Sequence, residues 1–164
     1  MFQLQEEYNI DFLSDFMIDK KYDKKFKLLD IATADMSFEA FGKDLNELFE
    51  NCALVVSEIM TDTSKVEVKK KINIELTANN LESLLFDFIS EILFRKDTEG
   101  LVFSKFSVKI SKTKNGYELS ATLGGDVWNR EKHEVRTEVK AATYNQMQIT
   151  KNKKQWRAQM VLDV

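Results

Sequence analysis

The sequence finishes Met160-Val161-Leu162-Asp163-Val164, and this ending holds its clearest chemistry. Trp156, Ala158, Met160 and Leu162 alternate with Arg157, Gln159, Val161 and Asp163, the pattern of a strand that runs to the last residue. Such a strand sets the α-carboxylate of Val164 beside the Asp163 carboxylate. Two anions held close and partly desolvated repel each other, so a cation has to compensate them. One compensator is a base, Arg157 or Lys140. The other is a metal ion, and oxygen-only ligands select Ca²⁺, Mg²⁺ or Mn²⁺ over softer metals. Asp35 is the best third ligand, because it follows Ile31-Ala32-Thr33-Ala34, a break rich in small residues where a side chain can be re-aimed. From spacing alone the ion pair is the commoner outcome.

Other chemistry is scarce. Cys52 is the only cysteine and His133 the only histidine. No intramolecular disulfide can form, which fits a reducing cytosol. Structural zinc, which wants about four N or S ligands, is nearly excluded. Cys52 falls in an apolar helical stripe and reads as a small buried hydrophobe. His133, between Lys132 and Glu134 in a polar stretch, reads as solvated and lacks an identifiable nucleophile or orienting partner. Lys140, flanked by Val139 and Ala141, ordinarily points to water or pairs with a carboxylate. No GxGxxG, Walker A, HExxH or CxxC pattern occurs.

The net charge of −3 argues against a protein whose main task is gripping phosphates. Lys69, Lys70 and Lys71 decorate the wet face of a strand. Lys112, Lys114, Lys151, Lys153 and Lys154, near hairpin turns, keep a direct RNA-binding module or tRNA chaperone as the alternative function. A metal-dependent hydrolase on the same carboxylates ranks behind it, since no general base is identifiable.

These residues must be positioned by an ordinary single-domain chain of 164 residues, 43% hydrophobic and 31% charged. Residues 1–24 stand apart as an N-terminal extension, acidic before the first base, with Ile10, Leu13, Phe16 and Met17 at the spacing of a short amphipathic helix. Residues 25–164 form the domain proper. Strands are expected over Phe26–Asp30 and Met36–Phe41, then a helix capped by Asp44 with the stripe Leu45, Leu48, Phe49, Cys52, Val56, Ile59 and Met60. A long strand from Val66 to Leu76 precedes a second helix, capped by Asn79, that buries Leu81, Leu84, Leu85, Phe88, Ile89, Ile92 and Leu93. Asp87 and Glu91 lie on its solvated side. Val102–Ser111 and Tyr117–Leu123 pair through a Lys114-Asn115-Gly116 turn. A polar loop then starts at Gly124-Gly125, and Glu138–Thr150 with Gln155–Leu162 make a final hairpin. The order β-β-α-β-α-β-β-β-β predicts an α+β fold, a mainly antiparallel β-sheet with two α-helices packed on one face. No apolar run is long enough for a membrane span and the N-terminus lacks a secretory pattern, so a cytoplasmic protein is expected.

Several segments together resemble the archease family. Phe26-Lys27-Leu28-Leu29-Asp30-Ile31-Ala32-Thr33-Ala34-Asp35 is similar to its N-terminal signature ending in Thr-Ala-Asp, and Phe38-Glu39-Ala40-Phe41-Gly42 follows with the aromatic-Gly ending. Leu84 to Phe94 resembles its second helix and Val102-Phe103-Ser104-Lys105-Phe106 the strand after it. Lys132-His133, then Glu138-Val139-Lys140-Ala141-Ala142-Thr143-Tyr144, and finally Val161-Leu162-Asp163-Val164 complete the match, in register over roughly 26 to 164. The family often carries His where this chain has Ala32 and Asn145, so no role can rest on those histidines. The resemblance implies a non-catalytic accessory protein of the GTP-dependent RNA-splicing ligase that joins tRNA halves. Such a protein promotes guanylation and multiple turnover of the ligase, and touches tRNA only indirectly. It also implies a divalent-metal site, usually described with Ca²⁺, on Asp35, Asp163 and Val164, with Lys140 as a functional polar residue beside it.

Overall fold

The computed structural model describes residues 24–31 and 34–164. The expected N-terminal amphipathic helix lies outside the described residues. Strand β1 (Phe26–Ile31) pairs antiparallel with β2 (Asp35–Gly42), which leads into helix α1 (Leu45–Met60). A short 3-10 turn (Thr63–Lys65) precedes β3 (Lys70–Ala78) and helix α2 (Leu81–Glu99). The hairpin β4 (Leu101–Thr113) and β5 (Gly116–Val127) follows, and β6 (Ala141–Lys151) with β7 (Trp156–Asp163) close the fold. The order of elements and the antiparallel α+β class are those the sequence predicts.

The β-structure differs from that expectation in being divided. Strands β1-β2-β7-β6 make a four-stranded sheet and β3-β5-β4 a separate three-stranded one. Both helices pack against both sheets: α1 on β2, β7 and β4, α2 on β6, β3, β5 and β4. A helix held between two sheets must be apolar over most of its circumference. This is why α1 buries Leu48, Phe49, Cys52, Ala53, Val55, Val56 and Ile59 rather than a narrow stripe. Phe49 meets Phe88 of α2 at 6.1 Å between ring centroids, joining the helices inside one core. Burial pushes the Cys52 thiol well above its ordinary value. Since the thiolate is the reactive form, Cys52 is expected to resist a disulfide reagent in the native protein and to react fully in denaturant, which thiol titration measures.

Local chemistry sets the boundaries. Asp44 caps α1 by accepting the Glu47 N–H at 2.8 Å, and Glu47 reaches back to the Lys43 N–H at 3.4 Å. The cap of α2 is Asn80, one residue later than the sequence predicts, accepting from the Ser83 N–H at 2.8 Å. The reason is the helix start at Leu81, which leaves Asn79 outside. Asn80→Ala is therefore expected to cost about 1 kcal/mol in urea unfolding, whereas Asn79→Ala stays within about 0.5 kcal/mol. Gly100 ends α2 in the left-handed conformation at φ +65°.

Gly124 and Gly125 are not the start of a loop but part of β5. A Cβ at Gly125 would sit 1.8 Å from the Val102 carbonyl oxygen, because β4 bulges at Ser104 and brings the two backbones together. Strand β3 begins at Lys70, four residues later than expected. A second irregularity, between Thr143 and Gln148, breaks the β6–β7 ladder and includes Gln146 at φ +55°. It carries Tyr144 out to stack on Phe86 of α2, 4.1 Å between centroids and 9° from parallel.

Candidate metal centre

The residues singled out by their chemistry gather at one end of the four-stranded sheet. Asp35 opens β2 and Asp163 closes β7, and the register sets them directly opposite each other. Alternation decides which way they face. Met36, Phe38 and Ala40 of β2 and Ala158, Met160 and Leu162 of β7 are core, so the odd-numbered set with Asp35 and Asp163 lies on the outer face. Asp35 is exposed and Asp163 half-buried. The Val164 N–H donates to the Ala34 carbonyl at 3.0 Å, and the Lys140 N–H donates to the Asp163 carbonyl at 2.8 Å. Main chain from residues 34–35, 140–141 and 163–164 is thus joined at this end.

Like charges directly opposite on neighbouring strands destabilise a sheet. The compensating bases weighed from the sequence are not used here. Arg157 bonds Glu39, which also pairs with Lys27 Nζ at 3.2 Å, and donates to Gln159 Oε1 at 2.8 Å. Lys140 is exposed and brings its main-chain N–H rather than its ammonium to Asp163. Neither Asp35 nor Asp163 has an ion pair with a described residue. Among the described residues no three His, Cys, Asp or Glu side chains gather as a ready-made ligand group. A cation here would rest on two carboxylates plus main-chain oxygens and water. That all-oxygen donor set fits a hard divalent ion, which readily accepts backbone and water ligands.

The approach of Lys140 depends on residues the sequence reading passed over. The segment 128–140, read from the sequence as polar loop up to Glu134 and as strand from Glu138, has no regular strand before Ala141 and is locked to the end of α1. The Arg136 N–H donates to the Met60 carbonyl at 3.1 Å and the Thr137 N–H to the Ile59 carbonyl at 3.0 Å. The Arg136 guanidinium donates to Glu58 Oε1 at 2.7 Å and to the Glu58 carbonyl at 2.9 Å, and Thr63 donates to the other carboxylate oxygen. The Arg136 and Glu58 side chains are 2% and 0% exposed. Glu58 sits among Val55, Val56 and Ile59, and a carboxylate within an apolar run was the available sequence signal that it needed a buried partner.

His133 likewise is not solvated. It is 4% exposed, and its Nδ1 accepts the Asn129 N–H at 2.8 Å, closing a turn within the segment. Asp87 is exposed, and Glu91 pairs with Arg95 at 2.9 Å, as a solvated helix face would. Lys112 and Lys114 lie at the β4–β5 turn, Lys151, Lys153 and Lys154 at the β6–β7 turn of the other sheet.

Asp62 borders the same lock, 3.9 Å from Arg136 Nη2. Burial alone would raise its pKa, but the Ser64 hydroxyl and N–H bonds and the Arg136 and Lys65 charges outweigh this and hold it below the usual carboxylate range. A carboxyl with a lowered folded-state pKa contributes stability above the unfolded value, about pH 4, that is lost as pH falls through the folded value. Asp62→Asn keeps an oxygen acceptor for the Ser64 N–H, which caps the 3-10 turn, and removes the charge. Its deficit in melting temperature relative to wild type is expected to be full at neutral pH and to shrink toward zero in acid.

The archease protein family model matches residues 26–164, the whole of the domain just described. The chain belongs to the archease family. It is 44% identical to the archease of Methanothermobacter thermautotrophicus over 86% of this chain and 99% of that protein. It is 44% identical to the archease of Thermococcus kodakarensis over 80% of this chain and 94% of that protein. A solution structure from Methanobacterium thermoautotrophicum superposes with a TM-score of 0.76 at 44% identity, covering 86% of this chain and 99% of that one. An archease crystal structure from Thermotoga maritima, described as a possible chaperone, shares the fold at a TM-score of 0.57 and 20% identity, over 83% of this chain and 95% of that one. The Asp35 and Asp163 ends and the Lys140 segment all fall within the family match. No helix among the described residues is long and apolar enough to cross a membrane.

Proposed function

We propose that this archease-family chain is a non-catalytic, cytoplasmic accessory protein of a GTP-dependent RNA ligase that seals tRNA halves. On this reading it holds a divalent cation on Asp35, Asp163 and a main-chain oxygen of Val164. Ca²⁺ is the first choice of ion, with Mg²⁺ or Mn²⁺ as alternatives. The observation that carries the reading is the register pair Asp35–Asp163, two carboxylates face to face to which no base among the described residues is ion-paired. Such a pair favours a bound cation, and at an exposed strand end it leaves room for a further ligand from outside.

The cation would supply positive charge to phosphate oxygens of a nucleotide held in the partner's pocket. Asp35 and Asp163 orient and retain it. Lys140, exposed beside them, offers a cationic contact to the same anionic group or to the partner's own surface. The locked segment 128–140 holds the main chain of Lys140 against Asp163. Guanylation and turnover of the ligase would be the steps assisted, and tRNA would be met only through the ligase.

The test is a ligation assay with the cognate ligase at limiting concentration, with and without this protein. Product per ligase well beyond a single turnover is expected only when the protein is present. Equal yields in its presence and absence end the proposal.

A further inference from the structure

A hollow beside Lys25 lies at the far end of β1 from Asp35, and the metal site does not use it. Its volume is about 570 Å³, within the range of ligand pockets. Leu54 of α1, Val66 and Phe106 of β4 make its apolar part, and Leu54 and Phe106 are only partly covered by the core they pack against. A second hollow of about 400 Å³ shares Lys105 and Phe106 with the first and adds Val68, which is 38% exposed. Side chains at the core edge left uncovered in this way favour an apolar occupant.

The neutral polar side chains around the first hollow donate inward. Asn51 donates to the Phe41 carbonyl at 2.7 Å, Ser104 to the Val66 carbonyl at 2.8 Å, Ser64 to Asp62 Oδ1 at 2.6 Å, and Thr63 to Glu58. A small polar ligand needs convergent polar groups to orient it, and these are turned to other partners. The charges are divided, Glu47 and Glu50 on the α1 side against Lys25 and Lys105. Burial first, then the Asp44 and Glu47 carboxylates, hold Glu50 above its ordinary pKa despite Lys43 and Lys25. Further bases on the α1 side would relieve that repulsion.

The chain itself supplies an occupant with these properties. The Phe41 N–H donates to the Lys25 carbonyl at 2.8 Å, so the polypeptide that precedes Lys25 starts at the rim of the hollow. Residues 1–23 lie outside the described residues, and residues 1–25 lie outside the family match. They hold the apolar stripe Ile10, Leu13, Phe16 and Met17, followed by the bases Lys20, Lys21 and Lys24. Lys25 is eight residues beyond Met17. An extended chain of that length reaches up to about 26 Å, well beyond the width of a hollow this size. A tether this short sets an effective concentration on the order of millimolar. We propose that the N-terminal segment docks in cis, its apolar stripe over Leu54, Phe106 and Val68 and its bases beside Glu47 and Glu50. The carboxylate pair at the other end of the hairpin stays open, so the inference holds whether or not the ligase reading does.

The test places a photoreactive benzoylphenylalanine at Leu13 or at Phe16 of the full chain and maps the crosslinks by mass spectrometry. Crosslinks are expected within the monomer, to Leu54, Val66, Val68 or Phe106 and their neighbours, with a yield independent of protein concentration. Ile10→Asp with Met17→Asp should lower that yield about tenfold or more, because each apolar side chain removed from a buried contact weakens docking about tenfold. Asp11→Asn with Asp15→Asn, on the opposite helical face, should change it less than about twofold. Unchanged circular dichroism of the variants shows that the domain stays folded. Crosslinks elsewhere on the domain, or none from either position, overturn the proposal. So do crosslinks between chains that rise with concentration, which would make the hollow a dock for a second copy.

Discussion

On the proposed function, Asp35→Asn combined with Asp163→Asn is expected to abolish both metal binding and ligase stimulation while leaving the fold intact. The substitution keeps the side-chain shape and removes two charges that face each other across the β2–β7 register. Relieving a like-charge pair on a sheet removes a destabilising contact, so without metal the double variant should be at least as stable as wild type. With metal the order reverses. A cation that binds only the folded state stabilises it by about 2.7 kcal/mol at a hundredfold excess over Kd, and the variant forgoes that gain. Thermal melts with and without Ca²⁺ give the first readout and the limiting-ligase assay the second. A variant that still melts higher with Ca²⁺ would move the ion elsewhere. A variant without a calcium response that still stimulates ligation would separate the ion from the function.

Arg136→Ala is expected to destabilise the fold by about 3–5 kcal/mol, because a buried carboxylate then keeps its desolvation cost without the guanidinium that offsets it. Glu58 is that carboxylate, fully enclosed in α1. A loss of this size is a large share of the 5–15 kcal/mol or so that holds a domain folded. Unfolding in urea should show a much lower midpoint. The double replacement Glu58→Leu with Arg136→Met should recover most of the loss, since apolar groups of similar volume often substitute for a buried pair without cost. If Arg136→Ala unfolds within about 1 kcal/mol of wild type, the pair contributes no more than an exposed one.

The same lock connects stability to the site. Segment 128–140 has little regular structure, yet its backbone bonds to Ile59 and Met60 bring Lys140 to the end of β7. On the proposed function, loosening it in Arg136→Ala should reduce ligase stimulation even at temperatures where the protein stays folded.

Local pattern carried far in this chain. Period two in Met36, Phe38 and Ala40, the helical stripes of α1 and α2 and the Asn115-Gly116 turn each belong to short-range geometry, and each appears where sequence places it. The capping asparagine was missed by one position because Asn79 and Asn80 offer the same chemistry, and only the helix start decides between them. Gly124 and Gly125 read as loop formers, since the close approach of the Val102 carbonyl that requires Gly125 comes from a strand distant along the chain.

By itself the sequence determined the order of elements, the antiparallel α+β class and the family, because these depend on residue type and on spacing within a few positions. Only the tertiary structure decided that the strands divide into two sheets, that Asp35 lies opposite Asp163 with Arg157 turned to Glu39, and that Glu58, His133 and Arg136 are buried together around one segment. Partner choice among charges is settled by which strands and helices meet, and those pairings join residues as far apart as 58 and 136 or 35 and 163, where no local periodicity reaches.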